Sequence, residues 1–152
     1  MEDLPRILGL DIGTKRTGVA MSDASRFLSS PYTTIETRDP REWVRQLTEI
    51  IQKEEVAEIV VGLPLNQYGE EGTDANRIRS YINLLRSRTD LPVVEWDERY
   101  TTVQAERALI HADYSREKRK QVIDRVAATI ILQGYLDSLQ PLSAADDSHD
   151  EV

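Results

Sequence analysis

Ile7-Leu8-Gly9-Leu10-Asp11-Ile12-Gly13-Thr14-Lys15-Arg16-Thr17-Gly18-Val19-Ala20-Met21-Ser22 is the stretch on which the fold turns. Ile7 to Ile12 is apolar apart from Asp11 and reads as a buried strand. Gly13 to Arg16 makes a short turn, and Gly18 to Ser22 reads as a second strand, so the two should pair as an antiparallel hairpin. A carboxylate inside an apolar strand is costly unless a metal ion or a hydrogen-bond cluster compensates it. The Gly13-Thr14 turn lets a phosphate or metal approach the backbone closely. The plainer alternative for Asp11 is a strand end followed by a turn.

Beyond the hairpin, Tyr32 to Glu36 is a third extended piece rich in β-branched residues. Asp39-Pro40-Arg41-Glu42 is a helix start, with Asp39 as cap, Pro40 at the first helical position and Glu42 completing a box-like pattern. Trp43, Leu47, Ile50 and Ile51 then mark one helix face. Ile59 to Val61 reads as a buried strand, and Gly62 to Gly72 as a loop. Ile78, Tyr81, Ile82 and Leu85 define a second amphipathic helix. Pro92 to Trp96 is a further strand, ending at Asp97-Glu98-Arg99. Thr101-Thr102-Val103-Gln104 opens a third helix. A last helix carries Ile123, Val126, Ala127, Ile130 and Ile131, and Pro141 stops it. A meander followed by strand–helix–strand crossovers implies an α/β domain over residues 1–140, with a five-stranded mixed sheet flanked by helices. Residues 141–152 are expected to be a disordered acidic tail.

The 152 residues suit one domain. Cysteine is absent, which excludes disulfides, thiol nucleophiles and thiolate metal sites. Two histidines, His111 and His149, are too few for a zinc site without carboxylates. A metal here should be a hard, oxygen-seeking ion such as Mg²⁺ or Mn²⁺. No apolar stretch approaches the roughly 20 residues that span a bilayer, and no signal peptide is evident, so a cytoplasmic location without membrane contact is expected. The formal net charge of −8 argues against a nucleic-acid binder. Its distribution does not. The tail holds Asp146, Asp147, Asp150 and Glu151 with no Lys or Arg, whereas Arg99 to Arg125 carries seven basic residues against four acidic. A basic strip of that kind suits phosphate contact, although an ordinary solvated helix surface has the same composition.

Two further carboxylates draw attention. Glu98 follows an apolar strand, where ligands bind in open α/β sheets, but its neighbour Asp97 competes for the same role. Asp124 sits at the start of the most apolar helix, with the small residues Ala127 and Ala128 after it, which would let that helix approach a sheet closely. The alternative for Asp124 is a helix N-terminal acid favoured by the macrodipole. The aromatic residues, 6% of the chain, offer no evident base-stacking platform.

Four blocks in order resemble the YqgF (RuvX) family of Holliday-junction-resolvase-like nucleases. They are Gly9 to Ala20, Val61-Gly62-Leu63-Pro64-Leu65-Asn66, Asp97-Glu98-Arg99-Tyr100-Thr101-Thr102, and Asp124-Arg125-Val126-Ala127-Ala128 with Ile131 to Asp137. The resemblance covers Ile7 to Gln140. It implies an RNase H-like fold and an acidic triad of Asp11, Glu98 and Asp124. It implies a nuclease that processes the 5′ end of the 16S ribosomal RNA precursor, in contact with ribosomal particles, or one that resolves branched DNA as a homodimer. Tyr100, where many members carry Leu, and the acidic tail depart from the shared pattern.

Phosphodiester hydrolysis fits these residues. Two metals about 3.5–4 Å apart can serve the attacking and the leaving oxygen, with Asp11 bridging and Glu98 and Asp124 flanking. Lys15, Arg16, Arg99, Lys118, Arg119 and Lys120 are the expected contacts to backbone phosphates, and the loop from Gly62 to Gly72 would line the cleft. A kinase or ATPase of the actin/hexokinase type also uses an Asp-x-Gly-Thr hairpin, but it needs roughly twice this length. A non-catalytic RNA- or ribosome-binding module would show salt-dependent binding without cleavage.

Overall fold

The computed structural model describes residues 5–100 and 116–140, and for Tyr100 and residues 116–124 it describes the backbone alone. The helix expected from Thr101, His111 and the tail lie outside the described residues. The elements are β1 (Arg6–Ile12), β2 (Arg16–Ser22), β3 (Ser29–Glu36), α1 (Pro40–Lys53), β4 (Val56–Leu63), α2 (Thr73–Arg88), β5 (Val93–Asp97), a 3-10 turn at Glu98–Tyr100, and α3 (Arg116–Ser138). The strands form one five-stranded sheet in the order β3-β2-β1-β4-β5. β1 pairs antiparallel with β2, and β2 with β3, while β1 runs parallel to β4 and β4 to β5. This is the mixed sheet that the hairpin and crossovers predict.

Alternation along the strands sorts their side chains onto two faces. One face carries Leu8, Leu10, Val19, Ile59 and Val61 and is covered by Trp43, Leu47, Ile78, Ile82 and Leu85 of α1 and α2. Trp43 fixes α1 to this face. Its indole Nε1 donates to Thr17 Oγ1 at 2.9 Å, and its ring meets Tyr81 edge-on. The opposite face carries Ile7, Ala20 and Val60 and is covered by α3 through Ala127, Ala128, Ile131, Leu132 and Leu136.

α3 lies very close to the sheet. A Cβ on Gly9 would stand 2.6 Å from the Leu132 Cβ and 3.2 Å from the Ala128 carbonyl oxygen. Glycine inside an apolar strand thus marks the helix contact. The helix runs opposite to β1. Gln133 bonds Ser29 beside the start of β1, and Tyr135 bonds Glu58, the β4 partner of Ile7. Ala128 lies farther along β1, at Gly9.

Several local expectations are revised. Gly62 and Leu63 belong to β4, not to the following loop, because the parallel ladder to β5 continues through them to Trp96 and Asp97. Asp39 caps α1 by accepting from the Arg41 N–H at 3.0 Å. Glu42 does not close a capping box. Its carboxylate takes hydrogen bonds from Arg45 and Gln46 instead, which pull it to about 2, far below the usual carboxylate value. Asp124 is not at a helix start either, since α3 begins at Arg116. The macrodipole alternative for Asp124 therefore falls, because that effect fades beyond the first turn.

Candidate active site

Asp11 lies one residue from the end of β1 and is 7% exposed. It shares the parity of Ile7 and Gly9, so it belongs to the face that α3 covers. Its antiparallel partner is Gly18. On the other side, Leu10 pairs with Val61, and Gly62 follows Val61 as Asp11 follows Leu10. The strands beside Asp11 thus present glycine near its level.

Gly62 decides where Glu98 goes. A Cβ there would lie 3.1 Å from Glu98 Oε2 and 2.5 Å from the Ile131 Cδ1. The Glu98 carboxylate therefore occupies the space left by the missing side chain, on the strand next to that of Asp11.

The choice between Asp97 and Glu98 follows from the same parity. Val94 and Trp96 pack on the α3 side. Glu95 faces α2, where it is bound by Arg79 at 2.8 Å and Arg86 at 3.3 Å. Asp97 shares the parity of Glu95. Its carboxylate is held by Arg99, whose Nε lies 2.9 Å and Nη2 2.6 Å from Oδ2. Those hydrogen bonds hold the Asp97 carboxyl below its usual range. Of the two acids, Glu98 is the one on the face of Asp11.

Asp124 stands one helical turn before Ala128, on the stripe that continues through Ala127, Ala128 and Ile131. Ala128 is beside Gly9, and α3 runs opposite to β1, so the backbone of residue 124 is carried toward the Asp11 end of the strand. Among the described residues, no group of three His, Cys, Asp or Glu side chains is gathered to hold a metal. The side chain of Asp124 lies outside those residues.

The expected phosphate contacts are in different situations. Lys15 is exposed at the tip of the β1–β2 turn. Arg16 reaches Glu36 across the β2–β3 pair at 3.5 Å. Arg99 is wrapped around Asp97. Lys118, Arg119 and Lys120 lie in the first turns of α3, with their side chains outside the described residues.

Two structural residues escaped sequence reading. Gly9 and Gly62 set the approach of α3 and the place of Glu98, and the available signal was a glycine within an apolar strand. A third is Arg77 of α2, whose Nη1 donates to the Gly13 carbonyl at 3.1 Å and so ties the hairpin turn to α2.

A mixed sheet in the order β3-β2-β1-β4-β5, with two acidic residues at the ends of its strands and a helix laid closely across that face, is the architecture of an RNase H-like nuclease. The sequence profile of the RuvX family, described as Holliday junction resolvase, matches residues 5–138. The chain belongs to this family of nucleases. It is 45% identical over 134 residues to a protein of Clostridium acetobutylicum named "Putative pre-16S rRNA nuclease", covering 88% of this chain and 99% of that one. A protein of the same name from Halothermothrix orenii is 50% identical over 131 residues, covering 86% of this chain and 94% of the relative. Among solved structures, the Holliday junction resolvase of fowlpox virus superposes with a TM-score of 0.53 at 14% identity, covering 88% of this chain and 99% of that one. Thermus thermophilus RuvC in complex with a Holliday junction gives 0.50 at 11% identity, covering 88% and 94%. These two likenesses are of fold. Among the described residues, no helix is long and apolar enough to cross a membrane.

Proposed function

We infer that this chain hydrolyses phosphodiester bonds at the 5′ end of the 16S ribosomal RNA precursor, using Asp11, Glu98 and Asp124 around a divalent cation. The observation that carries this reading is that Asp11, at the end of β1, and Glu98, just after β5, lie on the face that α3 covers, with the Glu98 carboxylate over Gly62 of the intervening strand β4. The names of the curated relatives support the RNA substrate. Its location would be the cytoplasm, on ribosomal precursor particles.

The donor set fits a hard cation. All three candidate ligands are carboxylates, and the chain has no thiolate to favour a softer ion. Mg²⁺ or Mn²⁺ held by these three residues would supply Lewis-acid stabilisation of charge on the phosphate oxygens. The chain's own part is to orient and to exclude. β1 fixes the Asp11 backbone by pairing it with Gly18 of β2, and α3 covers the face that Asp11 shares, which limits the directions open to its carboxylate. Lys15 at the turn tip, with Lys118, Arg119 and Lys120 at the start of α3, would neutralise the phosphates that flank the cleaved bond.

A second reading, cleavage of branched DNA by a homodimer, is favoured by the family description and by the resolvases that share the fold. One experiment separates the two. A labelled precursor 5′ leader RNA and a synthetic four-way DNA junction are incubated side by side with Mg²⁺ or Mn²⁺, using wild type and Asp11→Asn. Metal-dependent cutting of the RNA alone, lost in the variant, is the expected result. Cutting of the junction alone would move the protein to the resolvases. Binding without cutting of either would leave a non-catalytic RNA-binding module.

A further inference from the structure

Tyr68 is the most exposed of the large hydrophobic side chains among the described residues, at 76%. Exposure of a single aromatic needs no explanation by itself. Its setting is what distinguishes it. Tyr68 stands at the tip of the connection between β4 and α2, and that connection is built, not slack. Leu65 and Glu71 form an antiparallel bridge at its base. Asn66 closes the tip. Its Oδ1 accepts from the Tyr68 N–H at 2.8 Å and the Glu70 N–H at 2.9 Å, and its carbonyl oxygen accepts from the Gly69 N–H at 2.9 Å. Gly69 takes a φ of +79°, a conformation that favours glycine, and so completes the turn.

This tip belongs to the Glu98 end of the sheet. The Arg99 guanidinium lies behind it, 3.2 Å from where a Gly69 Cβ would stand, with Nη1 directed at the Gln67 carbonyl at 3.5 Å. Arg99 follows Glu98 in the chain and is itself fixed by Asp97. The other exposed aromatic among the described residues, Phe27, sits in the β2–β3 connection beside the start of β1, at the far end of the sheet. Charge also selects what the tip can meet. Glu70 and Glu71 flank it and disfavour phosphate, and Glu71 is already paired with Arg79 at 2.6 Å. A neutral flat group is the ligand that an exposed phenol ring on an acidic, pre-ordered loop accepts.

We propose that Tyr68 is a stacking platform for an unpaired base of the nucleic-acid substrate next to the cleaved bond, with the Asp97–Arg99 pair holding its loop in place. Arg99 then acts as a positioning residue and not as a phosphate contact. The proposal rests on the nuclease reading of the carboxylate site and adds a preference for single-stranded or locally opened substrate. Because the loop is ordered beforehand, stacking needs little further ordering of the protein.

The test is equilibrium binding in the Asp11→Asn background, which keeps substrate uncut. The probes are a single-stranded oligoribonucleotide carrying 2-aminopurine and a blunt duplex of the same sequence. Tyr68→Ala is expected to weaken single-strand binding about tenfold and to abolish the quenching of 2-aminopurine. Tyr68→Phe keeps the ring and should retain both. The salt slope should not change, because no phosphate contact is removed. Single-strand binding by Tyr68→Ala equal to that of its parent, or an equal loss on the blunt duplex, overturns the proposal and leaves the carboxylate site standing. If the parent binds neither probe, the nucleic-acid reading of the site falls together with the platform.

Discussion

The two faces of the sheet are built for different ends. Toward α1 and α2, large side chains meet large side chains: Leu8, Leu10, Ile59 and Val61 against Trp43, Leu47, Ile82 and Leu85. Toward α3, the small residues Gly9, Ala20, Gly62, Ala127 and Ala128 interleave with Ile7, Val60, Ile131 and Leu132 and let the helix come close, and the acids Asp11 and Glu98 emerge at its end. A thick apolar layer stabilises in proportion to the area it removes from water. A thin one brings a helix backbone close to the strands and leaves a gap where carboxylates can gather. The same strands serve both purposes because successive residues point to opposite sides.

The comparison breaks first at Asp11. Asp11→Asn should reduce cleavage on the order of a thousandfold while leaving the melting temperature unchanged or raised, since it removes a largely buried negative charge from the face that also carries Glu98. A folded variant with wild-type cleavage would remove the acidic face from the chemistry. Leu47, fully buried on the other face, should behave in the reverse way. Leu47→Ala is expected to cost about 2–5 kcal/mol of stability in denaturant titration, with the cleavage rate per folded molecule unaltered.

The two glycines sharpen the contrast within the α3 face. At Gly9 an added methyl meets the Leu132 Cβ and the Ala128 carbonyl, both tied to the helix backbone. Gly9→Ala should therefore cost about 1–3 kcal/mol by forcing α3 outward. At Gly62 the nearest atom is the flexible end of Ile131, and the next is the Glu98 carboxylate. Gly62→Ala should lower cleavage on the order of ten- to a hundredfold with a smaller loss of stability than Gly9→Ala. Equal ratios of stability to activity in the two variants would show that Gly62 only spaces the helix.

The smallest effect concerns pH. Arg99 depresses the Asp97 carboxyl below the 3.8 of a free aspartate. A depressed acid contributes stability that is fully present above its unfolded value and is lost as pH falls through its folded value. Wild type should therefore lose more stability than Asp97→Asn as pH drops from about 5 to about 3, read from urea midpoints. Parallel decline of the two would mean that the Asp97–Arg99 pair adds nothing to the native state.

Much of the fold was legible in advance. The apolar run broken at Gly13 gave the hairpin, and Asp39-Pro40 placed the start of α1, because strand burial and helix capping are local. The errors were also physical in origin. Glycine and proline between Gly62 and Pro64 read as loop, yet pairing with Trp96 and Asp97 of β5 keeps Gly62 and Leu63 in β4. Asp124 looked like a helix start because its apolar stripe begins there, but the polar turns before it are helical too. Apart from those errors, the ion pairs of Arg16 with Glu36 and of Arg99 with Asp97 depend on strand pairing and a tight turn, which no local pattern reports.

The sequence by itself determined the family, the strand that carries Asp11 and the acids available for a site, because these depend on residue type and short-range pattern. Tertiary structure decided which acids share a face. Asp97 and Glu98 are adjacent in the chain, yet Asp97 ends β5 bound by Arg99 while Glu98 opens the following turn with its carboxylate over Gly62 on the α3 side. Residues 11, 98 and 124 are distant in sequence, and only a parallel β1–β4–β5 sheet with α3 running against β1 carries their backbones to one end of the molecule.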